Sequence, residues 1–195
     1  MRLNSRDFTV RESLTNKAHQ WLKTRIQQGQ HVIDATAGNG YDTVFLARLV
    51  GTKGKVYAFD IQEQAIANTH RRLQEEGIQQ VELFQCCHSK MQTSLPASAL
   101  GFINAVMFNM GYLPRADKTI ITRSVTTLSA LQQLTAIVAN PAYITIIAYP
   151  GHTGGKEEQR EIEHWLNGQH FSIETVESET PTDISPKLYL IESRT

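Results

Sequence analysis

The chain has 195 residues, and its 19 Lys and Arg residues balance its 19 Asp and Glu residues, which gives a formal net charge of zero. That length suits one α/β domain with a sizeable core and leaves little room for a second, so we expect residues 1–195 to form a single domain. The zero net charge excludes the strong basic field that is typical of non-specific nucleic-acid binders, although it leaves room for a local basic patch.

The cysteines and the amino-terminal residues indicate a reducing compartment. Cys86 and Cys87 are adjacent, so they cannot build an ordinary disulfide framework or a zinc site, and we predict no metal centre. The amino-terminal residues carry no apolar signal region, and no apolar run is long enough to span a bilayer. We therefore expect a cytoplasmic protein that has no membrane partner.

Residues 1–30 are predicted to form an arm over residues 1–10, followed by a helix. Apolar side chains recur at helical spacing between Glu12 and Gln28, and the glycine after them supplies a stop. We expect this helix to lie over the sheet edge and to cover one side of a ligand pocket. His19 lies on the helix, and we interpret it as a partly exposed residue rather than a catalytic one.

The rest of the chain is organised around a glycine-containing loop. The apolar run Val32–Ala35 contains Asp34 and breaks into a turn with Gly38 and Gly40, after which an amphipathic segment covers Asp42–Val50. This pattern predicts a buried strand, a tight loop and a helix, the first half of a nucleotide-binding βαβ unit. The glycines let the backbone approach a ligand closely and take φ values that a Cβ forbids.

Two cofactor classes use such a loop, and the residues around it favour one of them. A dinucleotide fold needs a small residue where this chain has Thr43, and Asp34 would place a negative charge beside the pyrophosphate. A carboxylate there suits the amino group of S-adenosylmethionine (SAM). The next predicted strand, Val56–Asp60, ends in an acid that suits ribose hydroxyls in both classes. The loop resembles the glycine-rich motif of class I SAM methyltransferases, with Thr36 at its first glycine position.

Strands and helices continue to alternate along the chain. The predicted helices cover Glu63–Glu76, about Asp117 to Val138, and Lys156–Leu166, and Arg71 and Arg72 lie on a solvated face of the first. The predicted strands cover Val81–Cys86, Phe102–Phe108 and Ala142–Ala148, the last preceded by Pro141, and a linker covers Gln92–Ala99. Phe171–Val176 and Lys187–Glu192 are predicted to form a terminal hairpin. This succession resembles the Rossmann-like α/β fold of class I methyltransferases. The resemblance implies a seven-stranded, mostly parallel sheet in the order 3-2-1-4-5-7-6, flanked by helices.

The residues that follow the third strand are candidates for an adenine pocket. Open α/β sheets bind ligands at the carboxyl ends of their strands, which is where Cys87 and His88 fall. In class I methyltransferases the side chain just after this strand usually lies near the adenine. The alternative, a loop histidine that contacts nothing important, stays open.

The residues after the fourth strand indicate an acceptor site. Asn109–Tyr112 stands where amine-directed methyltransferases carry Asn-Pro-Pro-Tyr. In that motif the Asn side-chain oxygen accepts a hydrogen bond from the substrate amine, and the aromatic residue packs against the substrate base. Met110 and Gly111 replace both prolines, so the motif departs from the adenine and cytosine enzymes. The alternative is a strand-end turn in which Asn109 only caps backbone groups.

The loop after the fifth strand contains an aromatic residue, a histidine and three glycines. Tyr149 and His152 suit the holding of a base and the removal of an amine proton. Glycines at a strand end favour close backbone approach to a ligand. The alternative is that Gly154 and Gly155 only make the turn into the next helix.

Four stretches together resemble one bacterial family labelled "putative rRNA methylase": Asp34–Thr43, Phe59–Gln62, Asn109–Pro114 and Tyr149–Glu158. The similarity spans nearly the whole chain, including His19. Members of this family convert 5-aminomethyl-2-thiouridine at the tRNA wobble position to 5-methylaminomethyl-2-thiouridine. The resemblance therefore implies a SAM-dependent methyltransferase with tRNA, through its anticodon stem-loop, as partner, and it leaves both a monomer and a homodimer open.

The resemblance and the patterns above assign the site residues. The predicted catalytic residues are Asn109, Tyr112, Tyr149 and His152. The predicted SAM-binding residues are Asp34 for the amino group, Asp60 for the ribose, and Ala35, Thr36, Gly38, Asn39, Gly40, Asp42, Thr43, Ile61, Gln62, Cys87, His88 and Asn109. The competing hypotheses are an rRNA or small-molecule methyltransferase with the same cofactor site, and a nucleotide-binding or NAD-linked module without methyl transfer.

Overall fold

The computed structural model describes residues 12–111, 122–178 and 180–193. The strands are β1 (His31–Asp34), β2 (Lys55–Asp60), β3 (Val81–Gln85), β4 (Ile103–Asn109), β5 (Val138–Ala148), β6 (Ser172–Val176) and β7 (Lys187–Ser193). They form one sheet in the order β3-β2-β1-β4-β5-β7-β6. β1 to β5 pair in parallel, and β7 runs antiparallel to both β5 and β6. The predicted strand order is confirmed.

Helices connect the strands and cover both faces of the sheet. They are α1 (Leu14–Lys23), α2 (Tyr41–Val50), α3 (Glu63–Glu75), α4 (Met91–Ser94), α5 (Ser124–Ile137) and α6 (Gly155–Asn167), with short 3-10 helices at His88–Lys90 and Ala97–Ala99. None of the helices in the described ranges combines the length and apolarity needed to cross a membrane.

Two apolar clusters hold the layers together because neighbouring strand residues point to opposite faces. Ile33 belongs to the cluster that packs against α5 and α6, and Val32 to the one that packs against α1 and α2. Both residues are fully buried. A strand that is buried on both faces is expected to be continuously apolar, which is the pattern by which it was predicted.

The switch in strand order lies between β1 and β4. Asp34 pairs with Met107, and the amide of Ala35 donates to the Met107 carbonyl at 2.9 Å. Asp34 and Asn109 therefore end neighbouring strands at the same edge of the sheet, as predicted. Ligands of open α/β sheets bind at this point, because the connections leave β1 and β4 toward opposite faces and open a crevice.

Three predicted boundaries differ from the structure. β5 begins at Val138, so Pro141 lies inside the strand, and the predicted start at Ala142 is wrong. The strand tolerates a proline because its pairing with β4 shifts register there, where no N–H is needed. α1 ends at Lys23 rather than Gln28, and the predicted linker over 92–99 contains helical turns. The arm at 1–10 and the predicted start of a helix at Asp117 lie outside the described residues.

Candidate active site

The loop after β1 is shaped by glycines that adopt left-handed backbone conformations. Gly38 has φ 54° and Gly40 has φ 80°. A Cβ on Gly40 would lie 3.0 Å from the Cα of Thr69 in α3, so both its conformation and its surroundings require glycine. The loop is also tied to the sheet, because the amide of Ala37 donates to the Phe59 carbonyl at 2.9 Å.

The Asp34 side chain, at the end of β1, anchors this loop through hydrogen bonds. Its carboxylate is fully buried, and it accepts from the amide of Thr36 at 3.1 Å and from the hydroxyl of Thr43 at 2.6 Å. Burial, together with the nearby Asp42 carboxylate, raises the pKa of Asp34 to about 7, against the lowering effect of its two hydrogen bonds. Thr43, which stands where a dinucleotide fold needs a small residue, thus hydrogen-bonds to Asp34. A contact of Asp34 with the SAM amino group stays a prediction.

Asp60 lies at the end of β2 beside an open cavity. Its carboxylate accepts from the amide of Gly38 at 3.0 Å and from the amide of Gln62 at 2.9 Å. Burial raises the pKa of Asp60, while these backbone hydrogen bonds lower it. A cavity of about 720 Å³ begins next to it and is lined by Ile61, Gln62 and Gln85 among others. Each carboxylate oxygen can accept a further hydrogen bond, which suits ribose hydroxyls.

His88 is buried close to the same loop. Its ring packs edge-on against Phe108 and hydrogen-bonds to the backbone of Ala35. Burial lowers the pKa of His88 to about 4, so the imidazole is neutral at physiological pH. Its Nε2 is buried, and no described residue hydrogen-bonds to it. Cys87, just before it, is half-buried. A neutral ring with one unpaired nitrogen fits the adenine-pocket interpretation.

Asn109 is the centre of a second group of side chains. Its amide N–H donates to the Thr36 hydroxyl at 2.9 Å, and its side-chain Nδ2 donates to Asp42 at 2.9 Å. Its Oδ1 accepts from the Tyr149 hydroxyl at 3.2 Å. An ionised carboxylate only accepts, so Asp42 fixes which end of the Asn109 amide faces it and leaves Oδ1 on the other side.

Helix α1 completes this group, which we name the acceptor cluster: Asn109, Asp42, Tyr149, His19 and Thr15. His19 Nε2 lies 2.7 Å from an oxygen of Asp42, and the Thr15 side chain hydrogen-bonds to Tyr149. Thr15 and His19 are four residues apart and so lie on one helix face. Burial raises the pKa of Tyr149, which keeps its hydroxyl protonated as a donor to Asn109.

The sequence interpretation did not place His19 in the site. It is partly exposed, as expected, but its ring also stacks on Phe45 with 3.7 Å between ring centres. The available signal was its position beside the buried stripe of Ala18 and Leu22 in α1. That signal is weak, because a polar residue beside a buried stripe usually faces solvent.

Of the other two predicted catalytic residues, one can be placed relative to this cluster. Tyr112 lies outside the described residues. His152 Nδ1 lies 3.0 Å from the Thr153 carbonyl, and its Nε2 is buried without a partner among the described residues. Among the described residues, Tyr149 is the one that connects the loop after β5 to Asn109. A role for His152 in proton removal stays a prediction.

Glu158 stabilises the turn next to the acceptor cluster. The sequence patterns assign this residue no individual role. This fully buried carboxylate in α6 accepts from the hydroxyls of Thr127 at 2.6 Å and Thr122 at 2.9 Å. The Thr122 hydroxyl in turn accepts from the amide of Gly111 at 3.1 Å. Glu158 therefore fixes the turn that leaves β4 just after Asn109.

The sequence predicts Arg72 on a solvated face, but in the structure its side chain contacts the glycine loop. Its Nε donates to the Asn39 carbonyl at 2.8 Å, and its guanidinium lies 3.8 Å from the centre of the Tyr41 ring. The Asn68 side chain also donates to that of Asn39 at 2.9 Å. Helix α3 thus holds the outer side of the glycine loop, while Arg71 stays exposed.

Comparison with known proteins places these features in one family. A family model described as "Putative rRNA methylase" matches residues 56–192, and one described as "Protein-L-isoaspartate(D-aspartate) O-methyltransferase (PCMT)" matches residues 4–91. The chain is 42% identical over 167 residues to a protein of Arabidopsis thaliana named "tRNA (mnm(5)s(2)U34)-methyltransferase, chloroplastic". The match covers 81% of this chain but only 60% of that relative's length.

Solved structures of similar length resemble the chain over nearly all of it. A putative rRNA-methylase from Clostridium thermocellum is 35% identical, with a TM-score of 0.86, and the match covers 93% of this chain and 97% of that one. A putative methyltransferase from Streptococcus mutans, in complex with SAH, is 31% identical, with a TM-score of 0.80 and coverage of 93% and 98%.

Proposed function

This chain belongs to the family described as "Putative rRNA methylase", and we propose that it is a SAM-dependent methyltransferase that acts on RNA. The acceptor that we propose is the 5-aminomethyl group of wobble 5-aminomethyl-2-thiouridine in tRNA. The observation that carries the proposal is the Asn109 amide. Its oxygen is turned away from Asp42 and toward Tyr149, at the sheet edge beside the glycine loop.

The residues around the loop fit SAM. Gly38 and Gly40 allow close approach of a ligand to the backbone, and Asp60 offers carboxylate oxygens to ribose hydroxyls beside the 720 Å³ cavity. The His88 Nε2 is buried without a partner among the described residues, and we assign His88 to the adenine end of the site. When bound, SAM supplies an electrophilic methyl group on a sulfonium. The S. mutans relative is described in complex with SAH.

Asn109 orients the acceptor amine in this proposal. Its Oδ1 accepts a hydrogen bond from the amine and aims the nitrogen lone pair at the methyl carbon, while the Tyr149 ring lies against the uracil base. The nitrogen–carbon bond then forms as the sulfur–carbon bond breaks. Such a displacement needs little acid–base help, so positioning supplies most of the acceleration.

One proton must leave before the amine can react. A primary alkylamine is mostly an ammonium at neutral pH and has no free lone pair. Burial against Asn109 and Tyr149 lowers the pKa of that ammonium, because the charged form loses its hydration. The amine lies on the Oδ1 side of Asn109, away from Asp42, so the departing proton goes to water before the amine is enclosed.

The His19–Asp42 pair keeps Asn109 in the productive orientation. Asp42 bonds to His19 through one oxygen and to Asn109 through the other, so each contact holds the carboxylate for the other. If Asp42 rotates away, the Asn109 amide loses one of the contacts that distinguish its two ends, and the Tyr149 hydroxyl remains as the other. His19 is therefore a positioning residue that acts through Asp42.

The test is methylation of defined tRNA by the purified protein. Wild-type protein with SAM and tRNA that carries wobble 5-aminomethyl-2-thiouridine should yield 5-methylaminomethyl-2-thiouridine, which mass spectrometry of the nucleosides detects. Transcripts without the modification provide the control, because they lack the primary amine. Loss of the gene should leave the unmethylated nucleoside in cellular tRNA. If the purified protein does not methylate the modified tRNA, and loss of the gene does not change the nucleosides of cellular tRNA, the proposed acceptor is wrong.

The second candidate function is a small-molecule or rRNA methyltransferase with the same cofactor site. The zero net charge favours a small acceptor, because a tRNA enzyme gains from a basic surface. The same assay with amine metabolites and with rRNA in place of tRNA separates these functions.

We also infer a cytoplasmic location from the cysteines. Cys86 and Cys87 are free and half-buried, which suits a reducing compartment.

A further inference from the structure

A surface beside the glycine loop combines an exposed aromatic ring with basic side chains. We define it by six residues: Lys23, Tyr41, Phe45, Arg48, Leu49 and Arg72. They line an open groove of about 510 Å³ where the end of α1 meets α2 and α3. Nothing in the proposed methyl transfer uses this groove.

Tyr41 is the most prominent residue of the groove. It is 67% exposed, although it follows directly after Gly40 and begins α2. The Arg72 guanidinium lies 3.8 Å from its ring centre, and the same side chain is anchored to the Asn39 carbonyl. The ring is thus held in place and still has accessible surface, which is how proteins present an aromatic platform to a nucleic-acid base.

The groove carries positive charge on a chain that has none overall. Lys23, Arg48 and Arg72 line it, and Glu76 forms an ion pair with Arg48. Two cations, Lys23 and Arg72, therefore have no carboxylate partner among the described ion pairs. An aromatic ring between cations suits a nucleotide, whose base stacks while its phosphate is neutralised. An apolar partner would gain nothing from these charges.

The groove is connected to the acceptor cluster by direct contacts. Phe45, on the groove wall, stacks on His19, which hydrogen-bonds to Asp42. Asp42 is the next residue after Tyr41 and hydrogen-bonds to Asn109. A chain that enters the site at Asn109 can therefore leave it along α2 toward Tyr41.

We propose that this groove binds the single-stranded RNA next to the methylated nucleotide, with a base stacked on Tyr41 and a phosphate on Lys23. The proposal rests on the proposed function, since it requires an RNA acceptor. Single-stranded loops are the RNA elements whose bases are free to stack on side chains. The anticodon loop provides such a strand on either side of its wobble position.

The test measures RNA affinity and methylation separately. Binding of a fluorescent anticodon stem-loop is followed by anisotropy at several salt concentrations. Tyr41→Ala should weaken binding by about tenfold, within the range for one base–aromatic stack, whereas Tyr41→Phe should bind like the wild type. Lys23→Gln should lower the slope of log affinity against log salt by about 0.7, as expected for one phosphate contact on a single strand.

Matched controls are available at the opposite edge of the sheet. Phe102 is 66% exposed just before β4, and Lys53 is exposed just before β2. Phe102→Ala and Lys53→Gln should leave RNA affinity unchanged. SAM affinity, measured by calorimetry, should be the same in all variants, since a loss in Tyr41→Ala would place the defect in the glycine loop and overturn the assignment.

The outcomes separate this proposal from the one on which it rests. If the wild type methylates tRNA while Tyr41→Ala and Lys23→Gln bind RNA normally, the groove assignment is wrong and the function stands. If the wild type neither binds nor methylates RNA, both fail. If Tyr41→Ala instead dissociates a dimer in sedimentation and keeps its RNA affinity, the groove joins two copies of the chain, which also overturns the proposal.

Discussion

The two halves of the candidate site are built in different ways. The cofactor half, which is the loop over 34–40 with Asp60, is held by hydrogen bonds between residues two to 33 positions apart, for example from Asp34 to Thr36 and from Asn39 to Arg72. The acceptor cluster is held by bonds that span 40 positions from Tyr149 to Asn109 and 67 from Asn109 to Asp42. A local site can be recognised from a short stretch of sequence, whereas a site assembled from distant elements cannot.

The two halves of the candidate site are joined by hydrogen bonds of Asn109. Thr36 belongs to the glycine loop and accepts from the Asn109 amide, and Asp42, in the first turn of α2, accepts from the Asn109 side chain. If the halves are as separate as their construction suggests, substitutions should affect either cofactor affinity or acceptor chemistry, but not both.

The largest expected effect is on stability, at the buried carboxylate of the cofactor half. Because burial raises the pKa of Asp34 from 3.8 to about 7, its protonated form stabilises the fold below about pH 4, and this contribution is lost as the pH rises through about 7. Relative to Asp34→Asn, the wild type should lose about 4 kcal/mol of unfolding free energy between these pH values, at 1.36 kcal/mol per pKa unit. Urea unfolding of both proteins across this range measures the difference.

Asp183→Asn is the control, because that carboxylate is 92% exposed and should give no such difference. A parallel pH dependence in the wild type and Asp34→Asn would mean that the Asp34 carboxylate is not held in the way that the loop geometry indicates.

The next largest effect is expected at the centre of the acceptor cluster. Asn109→Ala removes the oxygen that orients the amine, so turnover should fall by about 100-fold, or about 3 kcal/mol, through loss of orientation. SAM affinity should change little, because the Asn109 side chain acts on the acceptor amine, and alanine keeps the backbone amide that donates to Thr36 in the glycine loop. Single-turnover methylation and calorimetry measure the two quantities. Wild-type turnover in Asn109→Ala would eliminate the acceptor model.

Asp60→Ala is the counterpart in the cofactor half. It should weaken SAM binding by about 1–3 kcal/mol, since it removes charge-assisted hydrogen bonds to the ribose and releases the Gly38 amide. Turnover at saturating SAM should stay close to that of the wild type. Glu82→Ala, in the neighbouring strand β3, serves as the control for loss of a carboxylate. Unchanged SAM affinity in Asp60→Ala would contradict the assignment of the ribose site.

The smallest effect is expected at the positioning residue. His19→Ala should lower turnover by about tenfold, or 1.4 kcal/mol, because Asp42 loses one of its two partners. His19→Gln should recover part of the loss, since its amide can donate to Asp42, and SAM affinity should not change in either variant. His70→Ala, on the exposed side of α3, is the matched control. A loss that glutamine does not rescue, together with weaker SAM binding, would show that His19 merely supports the fold.

The strands and the cofactor half were predictable because their causes are local. A buried strand must be apolar on both faces, so β1, β2 and β4 could be recognised from composition, and the terminal carboxylates Asp34 and Asp60 from their places at strand ends. The exception is β5, for which the sequence predicts a boundary at Pro141 that the structure does not have. A proline inside a central strand is tolerated only where the pairing is interrupted, and that interruption depends on the partner strand.

By itself, the sequence determined the order of strands and helices and the glycine loop with its two carboxylates, and it indicated Asn109 as a candidate acceptor residue. Only the tertiary structure decided the partners of Asn109, the contacts of His19, the burial of Glu158 and the stacking of Arg72 on Tyr41. The physical reason is that periodicity in a chain reports which face of an element is buried, but not which distant polar group it meets there. Those meetings depend on how α1, α3 and α6 pack around the sheet.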